Sequence, residues 1–72
     1  MKQLKQSYID GYKVTMYKLE RPVCGGYYLV SLTLGEESVY KDGLSLDGAN
    51  YLFFQFFQYI KDGVQIEDEF KN

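Results

Sequence analysis

The 72-residue sequence contains no histidine, no tryptophan and a single cysteine, Cys24. One cysteine cannot form an internal disulfide, and structural zinc sites need several Cys or His ligands. No P-loop and no G-x-G-x-x-G pattern occurs, so no phosphate-binding loop of these kinds is present. A reactive thiol normally needs a base or a lowered pKa, and the chain has no histidine to serve as that base. These absences predict a protein that is not an enzyme and that uses no metal and no cofactor.

Neither sign of charge dominates, because eight basic residues face ten acidic ones and the net charge is −2. Nucleic-acid binders and polybasic membrane-surface proteins usually carry a clear Lys/Arg excess. Met1 to Asp10 lacks the apolar stretch of a signal peptide, and no apolar run is longer than that of Tyr51 to Phe54, which is too short to cross a bilayer. We therefore expect a cytoplasmic protein that binds no membrane, with nucleic acid an unlikely partner.

Aromatic residues are abundant, with eight Tyr and five Phe. A domain of this size buries only about 60% of the surface that its unfolded chain exposes. Chains this short usually add a disulfide, a metal or a partner subunit. Residues 1–72 are therefore expected to form one small domain that is stabilised by aromatic packing or by association.

The first two thirds of the chain have the composition of β-strands. Tyr12 to Glu20, Tyr27 to Leu34 and Ser38 to Lys41 are rich in Tyr, Val, Thr and Leu and are bounded by turn residues. Gln3 to Ile9 fits either a further strand or one helical turn. Arg21 to Gly26 is interpreted as a connector, since Pro22 cannot donate to a strand ladder.

Asp42-Gly43 is expected either to end the last strand or to kink it before Leu44.

Alternation along these strands predicts which side chains face the core. The predicted core residues of the sheet are Val14, Met16, Tyr28, Val30, Leu32 and Val39.

A helix is predicted from Asp47 to Lys61, with Asp47 or Ser45 as its N-cap and Gly63 after its C-terminus. Residues 65–72 are acidic and fit either a short strand or a frayed tail. The fold class is α+β: a three- or four-stranded antiparallel β-meander packed against one α-helix in the C-terminal half of the chain.

The helix carries one apolar stripe at helical spacing. Its members are Ala49, Leu52, Phe53, Phe56, Phe57 and Ile60. Tyr51 and Phe54 fall outside this stripe and Tyr59 lies at its edge. One interpretation places all three in the core, and the other places them against another chain, for which a symmetric dimer is the default form.

Two acidic segments are the remaining candidates for contact with a partner. They are Glu36-Glu37 at a predicted hairpin and Glu67, Asp68 and Glu69 near the C-terminus. These side chains serve either as solvated charges or as contacts for a basic surface.

The strand tyrosines also allow two interpretations. Core packing is favoured over base stacking, because acidic groups outnumber basic ones. The residues concerned are Tyr12, Tyr17, Tyr27, Tyr28 and Tyr40.

Several segments together resemble small phage-encoded inhibitors of host defence, including anti-CRISPR proteins. They are Tyr12-Lys13-Val14, Tyr28 to Leu32, Glu36-Glu37, Phe53 to Gly63 and Glu67 to Phe70. The resemblance implies three strands followed by a helix with an acidic end, and a host defence nuclease or complex as the partner. It transfers no functional residues, and the weak acidity of this chain departs from the DNA-mimicking members.

The expected function is therefore a non-catalytic protein-binding module that acts by occlusion, as an inhibitor from a phage or mobile element. The alternative is a small structural or regulatory homodimer with the aromatic helix at its interface. The predicted partner-binding residues are Tyr51, Phe54, Tyr59, Glu36, Glu37, Glu67, Asp68 and Glu69.

Overall fold

Four strands in one antiparallel sheet precede a helix in the computed structural model, which describes residues 1–62. The strand order in the sheet follows the chain order. The elements are β1 (Lys2–Ile9), β2 (Tyr12–Val23), β3 (Gly26–Leu34), β4 (Glu37–Leu44) and α1 (Leu46–Asp62). The predicted α+β meander is confirmed, with four strands. The predictions for Gly63 and for the acidic residues 65–72 lie outside the described residues.

Two-residue turns built on glycine join the strands. Asp10-Gly11 and Cys24-Gly25 have positive φ at both positions, as type I′ hairpin turns require. Gly35, with φ of 61°, takes the first central position of the β3–β4 turn, where a type II′ turn needs glycine.

The prediction of a connector from Arg21 to Gly26 was wrong. Strand β2 continues through Val23, and only Cys24 and Gly25 form the turn. The ladder between β2 and β3 shifts register between Lys18 and Val23, so Pro22 lies outside the regular pairs. A bulged stretch needs no amide from proline, which is why the strand tolerates it.

The structure decides two further alternatives. Gln3 to Ile9 lies in β1, which pairs with β2, and does not form a helical turn. Strand β4 does not end at Asp42 but continues to Leu44, with a register shift and with a φ of 69° at Gly43. This local twist is the predicted kink.

The core lies between one face of the sheet and α1, which packs mainly on β3 and β2. Its buried members are Val14, Met16, Val30, Leu32, Ala49, Phe53 and Phe56. Other predicted core residues pack against them while partly exposed, namely Tyr28, Val39, Leu52, Phe57 and Ile60. The alternation in the strands and the helical stripe therefore identified the core correctly.

Ser45 is the N-cap of α1. The amide of Gly48 donates to Ser45 Oγ at 3.0 Å, and the amide of Ala49 donates to the Ser45 carbonyl at 2.8 Å. Asp47 lies inside the first turn, where its negative charge interacts favourably with the helix dipole. The helix thus begins one residue before the predicted range and ends one residue after it.

Candidate protein-binding surfaces

The face of α1 that points away from the sheet carries five side chains at alternating spacings of four and three residues. We call Asp47, Tyr51, Phe54, Gln58 and Lys61 the outer stripe. Tyr51 is 67% exposed and Phe54 is 58% exposed, while Asp47 and Lys61 are also exposed. The opposite side of the helix supplies the buried core residues, so the two exposed rings contribute little to folding.

The three predicted helix aromatics do not share one environment. Tyr51 and Phe54 lie side by side on the outer stripe. Tyr59 instead packs against the hydrophobic core and is only partly exposed. The structure therefore brings Tyr51 and Phe54 together and places Tyr59 outside their surface.

The second candidate surface is the face of the sheet that α1 does not cover, which we call the open face. Its side chains alternate with the core residues along each strand and align in rows across the sheet. They include Gln6, Tyr8, Lys13, Thr15, Tyr17, Tyr27, Ser31, Thr33, Ser38 and Tyr40. Tyr8 is 70% exposed and Tyr40 is 60% exposed. This surface therefore combines hydroxyl groups with exposed aromatic rings.

Hydrogen bonds between side chains order part of the open face. Thr15 Oγ1 donates to Gln6 Oε1 at 3.2 Å, and Gln6 Nε2 donates to the Tyr8 hydroxyl at 3.1 Å. Thr15 is fully buried although it points to this side, and Gln6 satisfies its hydroxyl. These bonds connect the Tyr8 hydroxyl through Gln6 to Thr15 in β2.

The strand tyrosines divide between the two faces of the sheet. Tyr17, Tyr27 and Tyr40 lie on the open face, while Tyr12 and Tyr28 pack against the core. Sequence analysis did not identify Tyr8 as a surface aromatic, because Gln3 to Ile9 fitted either a strand or a helical turn. In a strand, Tyr8 lies on the same face as Gln6, and this alternation could have identified it.

Of the acidic candidates, the structure describes Glu36 and Glu37. Both are exposed, at the turn between β3 and β4. Pairing of Tyr12 with Leu34 puts this turn at the same end of the sheet as the turn at Asp10-Gly11. Glu67, Asp68 and Glu69 lie outside the described residues.

The charges of residues 1–62 balance, since this part of the sequence has seven acidic and seven basic side chains. The last ten residues carry three acidic side chains and one basic one, which accounts for the net charge of −2. The outer stripe and the open face therefore lie in a part of the chain whose formal net charge is zero.

Cys24 is exposed in the β2–β3 turn. Within residues 1–62, no group of three His, Cys, Asp or Glu side chains is arranged to hold a metal ion. No helix in this part of the chain is long and apolar enough to cross a membrane.

A scan against protein-family models and searches of curated proteins and solved structures each returned no match.

Proposed function

We propose that the chain is a non-catalytic protein-binding module that acts by occlusion. The observation that carries this proposal is the pair of exposed aromatic surfaces on opposite sides of the molecule, the outer stripe and the open face. The core is filled by other side chains, so folding alone does not account for these rings. Exposed aromatic clusters are typical of protein interfaces, where Tyr and Phe supply much of the buried area.

The outer stripe has the arrangement of an interface centre with a polar rim. Tyr51 and Phe54 are adjacent rings, and Asp47, Gln58 and Lys61 flank them along the helix. Desolvated aromatic anchors usually contribute most of the binding energy, while rim charges set orientation and association rate.

The open face suits a partner surface that is both apolar and polar. Tyr8, Tyr27 and Tyr40 present rings with hydroxyl groups at their tips. Gln6 holds the Tyr8 hydroxyl in place, so less side-chain entropy is lost when a partner covers it.

Occlusion means that the module covers a working surface of its target and performs no reaction. The resemblance to phage-encoded inhibitors supports a host defence nuclease or complex as that target. Glu36 and Glu37, at the end of the sheet, add negative charge that favours a basic region on the target.

The test is affinity capture with the immobilised full chain from a bacterial lysate, with quantitative mass spectrometry. Four chains are compared: the wild type, Tyr51→Ser with Phe54→Ser, Tyr8→Ser with Tyr40→Ser, and the control Lys2→Ser, an exposed residue that lies on neither surface. We expect one protein or complex to be retained by the wild type and the control and to be lost in one aromatic pair. Its nuclease activity should fall when the wild-type chain is added. Retention by all four chains, or unchanged nuclease activity, would contradict the proposal.

A further inference from the structure

We infer that the outer stripe binds the outer stripe of a second copy of this chain, with the two helices antiparallel. The inference rests on the proposed protein-binding function and assigns one of its two surfaces. The open face is then left for a different protein.

The positions of the outer stripe are close to symmetric about Phe54. Asp47 lies seven residues before Phe54 and Lys61 seven residues after it, while Tyr51 and Gln58 lie three before and four after. Phe54 is also the middle residue of α1, which spans Leu46–Asp62. A two-fold axis near Phe54, perpendicular to the helix, therefore places the outer stripe of one copy against the outer stripe of the other. The N-terminal end of each stripe then lies opposite the C-terminal end of its partner.

Charge fixes the direction of the second helix. In the antiparallel arrangement each Asp47 faces Lys61 of the other copy, which gives two attractive pairs. In a parallel arrangement Asp47 would face Asp47 and Lys61 would face Lys61, and both pairs would repel. The helix thus carries opposite charges at the two ends of one face, as an antiparallel pair requires.

The aromatic side chains occupy the centre of this contact. Phe54 meets its own copy at the axis, and Tyr51 lies opposite Gln58, whose amide can bond to the Tyr51 hydroxyl. The spacing of four and three residues is that of the seam between two packed helices. Both rings, exposed in one chain, become covered in the pair.

The outer stripe is small for a protein interface. A stable interface usually buries about 800 Å² on each partner. Two partly exposed rings supply less than this, since each aromatic side chain buries roughly 150–250 Å² at most. We therefore expect a reversible dimer with a dissociation constant in the micromolar range.

The dimer leaves both open faces on its outside, because α1 lies between the sheet and the second copy. Two copies of the open face could then engage a repeated or symmetric target together. Such bivalent binding raises the overall affinity without a new contact.

Zero-length carbodiimide crosslinking of the wild-type full chain tests the pairing directly. Asp47 and Lys61 are fourteen residues apart on one helix, or about 21 Å. A direct amide bond between their side chains can therefore form only between two chains. We expect a crosslinked dimer at micromolar concentration whose peptides join Asp47 to Lys61. A dimer without this link, or no dimer at all, overturns the inference.

Charge reversal gives a second test, by sedimentation across the micromolar range. Asp47→Lys and Lys61→Asp should each weaken self-association by about tenfold or more, because like charges then meet at both ends. A mixture of the two variants should form a heterodimer, and the double variant should associate as the wild type does. Circular dichroism checks that each variant is folded. If a variant is unfolded, the crosslinking result for the wild type alone tests the antiparallel pairing. Unchanged association in the single variants overturns the antiparallel pairing.

Failure of the dimer can be told apart from failure of the proposed function. A chain that is monomeric at all concentrations, yet retains a foreign protein that depends on Tyr51 and Phe54, contradicts the dimer alone. A chain that dimerises but retains no foreign protein contradicts the occlusion mechanism alone.

Discussion

The ammonium group of Lys5 lies 4.5 Å from the centre of the Phe53 ring. The same group donates a hydrogen bond to Asn50 Oδ1 at 2.7 Å. Lys5 belongs to the edge strand β1, whereas α1 packs mainly on β2 and β3. This side chain therefore connects the edge of the sheet to the helix.

Replacing Lys5 by Met should lower the free energy of unfolding by about 1 kcal/mol, because the cation–π contact and the hydrogen bond to Asn50 are lost while the apolar stem remains. Lys2→Met is the matched control, since Lys2 is exposed on the same strand and the structure shows neither contact for it. Urea denaturation followed by circular dichroism measures both. Equal effects of the two substitutions would contradict the role of Lys5, as would zero coupling with Phe53→Leu in a double-mutant cycle.

Gly26→Ala should unfold much of the protein. A Cβ at Gly26 would collide with the carbonyl of Gly43 and the amide of Leu44, which are backbone atoms that cannot move aside alone. We expect a loss of about 3 kcal/mol or more, in the range of severe overpacking. Gly25→Ala is the control, because nothing lies within 4 Å of its Cβ and only the positive φ opposes it. That strain should cost about 1–2 kcal/mol. Thermal unfolding compares the two variants. Equal melting temperatures would contradict the close approach of Gly26 to the backbone of Gly43 and Leu44.

Ser45→Ala should lower the free energy of unfolding by about 1 kcal/mol, because the amide of Gly48 loses its acceptor. Below the concentration of self-association, Asp47→Ala removes only a favourable charge near the helix N-terminus. Its loss should be about 0.3–1 kcal/mol and should shrink as salt is added. The Ser45→Ala effect should not depend on salt. Denaturation at low and high salt separates the two, and the reverse salt pattern would identify Asp47 as the cap.

Truncation of aromatic residues should separate the core from the outer stripe. Phe56 is fully buried, so Phe56→Ala should cost about 3–5 kcal/mol. Phe54→Ala, two residues earlier on the same helix, should change stability by less than about 0.5 kcal/mol when measured below the concentration of self-association. A large loss in Phe54→Ala under those conditions would show that its ring supports the fold of the single chain.

The salt dependence of partner binding should reveal which groups dominate it. Acidic contacts at Glu36 and Glu37 would weaken steeply with ionic strength, since exposed charges are screened beyond about 10 Å at 0.1 M salt. An aromatic anchor on the open face is insensitive to salt and is lost in Tyr8→Ser with Tyr40→Ser. We expect the second pattern, because residues 1–62 carry no net charge. Glu36→Gln with Glu37→Gln is the matched control for the acidic contribution.

The sequence determined the parts of this protein that depend on local periodicity and turn chemistry. Alternation in Tyr12 to Glu20 and Tyr27 to Leu34 identified the core face of each strand. The helical spacing of the Phe residues identified the buried side of α1. Glycine at positions needing positive φ marked the turns at Gly11 and Gly35.

Only the tertiary structure decided strand pairing, exposure and long-range contacts. The local sequence pattern shows which residues share a face of a strand or helix, but it does not show what packs against that face. Gln3 to Ile9 became a strand through its pairing with β2, and Pro22 was accommodated by a register shift with β3. The exposure of Tyr8, the partly buried position of Tyr59 and the contact of Lys5 with Phe53 likewise depend on residues distant in sequence. Such contacts are fixed only when the sheet and helix pack together, and that packing left Tyr51 and Phe54 facing outward.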